Sequence, residues 1–190
     1  MVMLAPVSTR FPLMVSAVAL LLGAGASSAQ TRVFVAGGAM VPLGDFASVA
    51  EPGPGVGAGV LLGAGTRGLV MGVDASYARG SHSSGDARSD VYGLTGLIGY
   101  TLGGLGAVEL TPLLGAGALV HTRRSAALPG LDATRAGPGA SLGLRATFPV
   151  GGGRAFAAGG YVLGFGDVNT AAFPTKLLSL TAGVTISLGR

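Results

Sequence analysis

Leu178-Ser179-Leu180-Thr181-Ala182-Gly183-Val184-Thr185-Ile186-Ser187-Leu188 decides the fold. Every even position is apolar, and every odd position is small or hydroxylated. A period of two held this long is the mark of a strand with one oily and one polar face. Such a strand rises about 33 Å, and at a tilt of about 40° it covers roughly 25 Å of apolar height.

The same alternation recurs upstream. Thr31 to Val41 is a Val-rich strand, broken by Pro42-Leu43-Gly44-Asp45-Phe46. Gly55 to Gly63 sets Val56, Ala58, Val60 and Leu62 against Gly55, Gly57 and Gly59. Gly68 to Ala78 has Leu69, Met71, Val73, Ala75 and Tyr77 on one face, and Val70, Gly72, Asp74 and Ser76 on the other. Val91 to Thr101 places Tyr92, Leu94, Ile98 and Tyr100 together, with a tyrosine at each end as two interfacial girdles require. Gly106 to Val120 and Gly137 to Phe148 follow the rule, although Pro112 demands a bulge or an edge. Arg154 to Gly166 changes parity between Phe156 and Tyr161, and a bulge at Gly159-Gly160 would reconcile the two.

Long connections follow the first, third, fifth and seventh strands, and short turns follow the others. Arg79 to Asp90 and His121 to Ala136 are the most polar of the long ones, and read as exposed loops. An even strand count with this rhythm predicts an all-β, eight-stranded, antiparallel up-and-down transmembrane β-barrel over residues 30–190. Closure requires the first strand to meet the last. Two rivals compete: a membrane helix pair, which fails on pattern, and a soluble closed barrel, which periodicity alone does not separate from the membrane form. Residues 91–120 hold a single charge, Glu109, but their apolar period is two and their frequent Gly would each cost a helix about 1 kcal/mol. A soluble ligand-binding barrel would turn the small Gly/Ser/Thr face to water, whereas that face suits a narrow interior.

Residues 1–29 read as a cleaved signal peptide: Arg10 precedes an apolar core from Leu13 to Leu22, and Ser27-Ser28-Ala29 offers a small-residue cleavage site. The core is too short to span a bilayer. The 190 residues carry 12 basic and 8 acidic side chains; loss of Arg10 leaves 11 against 8, a net charge of +3. The charges are dispersed, without the Lys/Arg runs that track nucleic acid. With no Cys, disulfides and thiolate metal sites are excluded, and two distant His make no metal centre. No cofactor is expected.

The signal peptide, the Gly-x-Gly strands, the Val41-Pro42-Leu43-Gly44-Asp45-Phe46 ending of strand one and the eight-strand rhythm resemble small outer-membrane barrels of the OmpA/OmpX type. They resemble most closely the loosely defined outer membrane protein β-barrel domain group. The resemblance spans residues 30–190 and implies a monomer, inserted by the outer-membrane assembly machinery and surrounded by outer-membrane lipid and lipopolysaccharide. It departs from the group at Leu188-Gly189-Arg190, where an aromatic residue is usual.

Asp74, Glu109 and Arg145 fall on the expected lumen face, and an ion pair between Glu109 and Arg145 low in the barrel is the natural reading. A self-satisfied polar plug is the plain account of them; a conducting lumen is the alternative. Arg123, Arg124 and Arg135 are expected in one outer loop, where they could grip lipopolysaccharide phosphate or simply be solvated. Ser81-His82-Ser83-Ser84 with Asp86 faintly resembles the His-x-Ser pair of barrel lipid A deacylases, but lies in a polar loop. The expectation is therefore a non-enzymatic barrel acting in envelope integrity or surface interaction. A lipid-modifying enzyme and a narrow pore are the alternatives.

Overall fold

In the computed structural model, the residues described are 30–63, 67–82, 85, 87–105, 107–125, 132–165 and 175–188. The expected signal peptide, the Gly65-Thr66 tip of the first short turn, and the terminal Gly189-Arg190 lie outside them.

The strands are β1 (Gln30–Pro42), β2 (Gly53–Gly63), β3 (Gly68–Ser81), β4 (Ala87–Thr101), the two-residue β5 (Gly104–Leu105), β6 (Val108–Ser125), β7 (Ala133–Val150), β8 (Gly153–Gly164) and β9 (Thr175–Leu188). A single 3-10 turn, Gly44–Ser48, follows β1 among the described residues. All pairings are antiparallel between sequence neighbours, apart from two that close the ring: β1 with β9, and β4 with β6. The tiny β5 pairs only with the start of β6. The result is the expected closed eight-strand barrel. The β1–β9 seam runs unbroken from Thr31↔Leu188 to Pro42↔Leu177, so the last strand has no open edge on that side.

Parity settles which way the oily face points. Val35, Val56, Leu69, Leu94, Ile98, Leu114, Leu142, Leu180, Val184 and Ile186 are all about half exposed or more, with Ile186 at 62%. They clothe the outside. An apolar surface this continuous is not tolerated by water and belongs in hydrocarbon. The inside is filled by Phe34, Leu61, Val70 and Phe156 in one cluster, and by Phe46, Ala50, Ala78, Val91 and Leu177 in another. The soluble-barrel rival required the inverse.

Two expectations are corrected and a third is narrowed. First, the strands reach further on the side of the long connections. β3 continues through Arg79 to Ser81, β4 begins at Ala87, β6 continues to Ser125 and β7 begins at Ala133. The polar residues there alternate inward and outward like the rest of the strand, and only their hydrophilicity made them look like loop. Second, β8 carries no bulge. Its pairs with β7 and β9 run continuously through Gly159 and Gly160. Phe156 points into the lumen, while Tyr161 points out, so the apparent change of parity is an inward-facing aromatic. Third, Pro112 needs no bulge, because it sits at a local edge on its β4 side. The β4–β6 ladder stops at Gly99↔Leu113, one residue short of it, and Pro112 faces Leu144 on β7.

Glycine permits the close interior. A Cβ on Gly59 would sit 2.7 Å from the Phe34 ring, and one on Gly183 would sit 2.8 Å from Phe156. Both aromatics therefore occupy space that the small face of the neighbouring strand vacates.

Candidate functional site: a plugged lumen and a basic rim

The interior is arranged in layers. At the end with the short turns, Glu109 is buried, and its carboxylate accepts from Arg32 at 3.0 Å and from Arg154 at 2.8 Å. Arg32 also donates to Gln30, through Nε at 3.3 Å and Nη2 at 3.0 Å. Thr101 and Thr111 hydroxyls meet at 3.1 Å one inward step above Glu109. One carboxylate thus holds two guanidiniums that come from opposite parts of the chain, β1 and β8.

The next layer is aromatic and cationic. Phe34 and Phe156 meet edge to face, with centroids 5.9 Å apart. The Arg145 guanidinium lies against both rings, 4.2 Å from the Phe34 centroid and 4.3 Å from that of Phe156. A desolvated cation held on aromatic faces gains about 2 kcal/mol. Asp74 on β3 borders the same space as Arg145. Beyond this layer a cavity of about 150 Å³ opens, lined by Asp74, Ser76, Thr95, Ser141, Arg145 and Thr181. The Oδ1 atom of Asp74 has no protein hydrogen-bond partner there. These polar groups stand among apolar neighbours that include Met40, Leu97, Leu113 and Leu119.

Asp74, Glu109 and Arg145 are thus all interior, as the alternation predicts, but the expected Glu109–Arg145 pair does not form. In the β6–β7 register Glu109 faces Thr147, while Arg145 faces Thr111, one inward step higher. Arg32 and Arg154 reach Glu109 at its own level and take both of its oxygens.

The 3-10 turn packs into the far mouth through Phe46. Phe46 packs edge to face on His121, with centroids 5.4 Å apart, and the His121 ring lies 3.4 Å from the Thr175 hydroxyl. His82 Nε2 lies 2.9 Å from Ser89 Oγ, and both are buried. Burial, then the nearby Arg123 charge, holds the His82 pKa below its usual range. Of the residues expected around His82, Ser83, Ser84 and Asp86 lie outside the described residues.

The three arginines expected in one loop are strand residues that part company. Arg123 and Arg135 have lumen-side parity at the mouth, on β6 and β7, whereas Arg124 has outward parity. A second outward group was not anticipated. Asp90 accepts from Tyr77 Oη at 2.7 Å and from Arg79 Nε at 2.9 Å, and Arg88 Nε lies 3.5 Å from it. Burial alone would raise the Asp90 pKa, but these donors and charges outweigh it and hold the carboxyl below its ordinary range. The signal for this group was present in the sequence: Tyr77, Arg79, Arg88, Asp90 and Tyr92 keep strict outward parity once the two strands are extended.

No protein-family model and no curated protein sequence matches the chain. Solved structures do match. Neisserial surface protein A aligns at a TM-score of 0.62 with 15% identity, covering 86% of this chain and 99% of that one. A major outer membrane protein from Thermus thermophilus aligns at 0.60 with 12% identity, covering 85% and 100%. The attachment invasion locus protein Ail of Yersinia pestis aligns at 0.51 with 15% identity, covering 84% and 99%. The chain has the fold of these small outer-membrane barrels.

Proposed function

We propose that this chain is a monomeric, non-catalytic integral protein of a bacterial outer membrane. It is exported on its N-terminal signal peptide, inserted by the outer-membrane assembly machinery, and serves envelope integrity or surface interaction through its outer connections. The observation that carries this reading is the plug: Arg145 lies against both Phe34 and Phe156, with Glu109, Arg32 and Arg154 locked together on its short-turn side. An interior filled this way supports a scaffold and opposes a pore. The His82–Ser89 contact is the nearest approach to a nucleophile and base among the described residues, yet it is buried inside the mouth and not on the lipid-facing wall where a lipid substrate would lie.

The reading is tested in planar bilayers and by lipid analysis together. The purified protein is expected to insert without conductance and to leave the composition of outer-membrane lipid unchanged. Stable conductance would establish the pore, and a modified lipid would establish the enzyme.

A further inference from the structure

The outer wall carries a charged patch that the lumen network does not use. Arg79, Asp90, Thr122 and Thr134 stand side by side across β3, β4, β6 and β7 (Arg79↔Asp90, Asp90↔Thr122, Thr122↔Thr134). All have the outward parity of Tyr77 and Tyr92, whose rings lie just below with centroids 5.0 Å apart. One outward step higher, Arg88 on β4 faces Arg124 on β6 directly. Like charges set opposite each other across a ladder are destabilising unless an anion lies between them. Asp90 is the only carboxylate in the patch that pairs with these arginines among the described residues, and it engages Arg79 and Arg88. No ion pair reaches Arg124 among the described residues. The neighbouring Asp132 accepts from the Ser125 backbone N–H. Three guanidiniums against Asp90 leave an excess of positive charge, and the Arg79 and Arg88 side chains remain 49% and 44% exposed.

Depth identifies the ligand. Tyrosines on the outside of a membrane barrel sit at the headgroup level, with apolar wall on one side of them and water on the other. Below the Tyr77–Tyr92 pair the same outward face continues through Ala75, Leu94 and Ala118, in register, as an acyl-chain wall. Arg79 lies two residues above Tyr77, about 5 Å in height at barrel tilt. Guanidinium groups at that level meet phosphate bidentately. A soluble anion would make no use of the apolar wall beneath.

We propose that Arg79, Arg88 and Arg124 form a binding site for the phosphate-bearing headgroup of an outer-leaflet lipid, whose acyl chains lie along the wall below Tyr77 and Tyr92. This rests on the outer-membrane reading above.

The test uses the full-length protein and an Arg88→Gln/Arg124→Gln variant, both folded in non-ionic detergent and checked by heat-modifiable gel migration. Neither substituted residue touches the lumen plug. The probes are lipid A with its two phosphates, the same lipid dephosphorylated, inorganic phosphate and a heparin fragment, with binding read by native mass spectrometry. The unsubstituted protein should hold phosphorylated lipid A about tenfold more tightly than the dephosphorylated form, and the variant should lose that preference. Inorganic phosphate should not displace the lipid. Equal binding of the two lipids, or a variant that keeps the preference, would overturn the site. Displacement by inorganic phosphate, or equal capture of heparin through the same arginines, would make it a general anion patch and overturn the lipid assignment. If the unsubstituted protein shows no folded-form shift, the outer-membrane reading itself fails, and this site fails with it.

Discussion

The guanidinium of Arg145 lies 4.2 Å from the centre of the Phe34 ring, inside the barrel and away from both rims. Arg145 is on β7 and Phe34 on β1, so the contact crosses the interior and ties opposite walls together. A cation there is tolerable because two aromatic faces replace part of its hydration.

Arg145→Ala should remove this obstruction and both of its cation–aromatic contacts. The expected loss is about 2 kcal/mol of stability. In planar bilayers the variant should show conductance steps where the unsubstituted protein is silent. A variant as silent as its parent would mean that Arg145 is not what closes the lumen.

Glu109 and Arg154 should differ in consequence although they share one ion pair. Glu109→Gln leaves two partly buried guanidiniums facing each other without a counter-charge, at a cost of about 3 kcal/mol. Arg154 is 26% exposed and Glu109 retains Arg32 when it is lost, so Arg154→Gln should cost about 1 kcal/mol. Urea titrations in detergent, followed by the folded-form gel band, read both. Equal midpoints for the two variants would contradict the asymmetry.

Acid should loosen the His82 contact. His82 is a base held below its ordinary pKa in the folded protein, so the unfolded chain takes up the proton first as pH falls. Its contribution is whole above about pH 6.5, declines as pH drops through that value, and levels off below the folded-state pKa. His82→Gln should lack this decline. The comparison is the urea midpoint of each protein at about pH 8 and about pH 5, values that bracket the ordinary histidine pKa of about 6.5. Parallel falls in the two proteins would assign the acid effect elsewhere.

Alternation alone makes most of this barrel legible in the sequence. In β9, Leu180, Val184 and Ile186 point outward and Thr181, Gly183 and Thr185 inward, as their period of two requires. What periodicity does not supply is partnership across the interior. Arg32 and Arg154 are distant in the chain, and only the closed ring brings both to Glu109, ahead of Arg145. Phe156 misleads because an aromatic in a membrane strand is read as lipid-facing, while here it fills the space left by Gly183. The rim is hidden for a different reason. Strand residues that rise above the bilayer are as polar as loop residues, so Arg79, Asp90, Arg123, Arg124 and Arg135 lack the contrast that marks the strands below.

A closed barrel with its apolar face in lipid is tested most directly by gel migration of the membrane fraction, with and without boiling. Such a barrel resists detergent until heated, so the unboiled protein should be found in membranes and run as a faster band that shifts to about the mobility of the 18.4 kDa chain, or of its processed form, on boiling. A protein recovered in the soluble fraction with the same mobility before and after boiling would contradict the architecture, and the plug and the rim along with it.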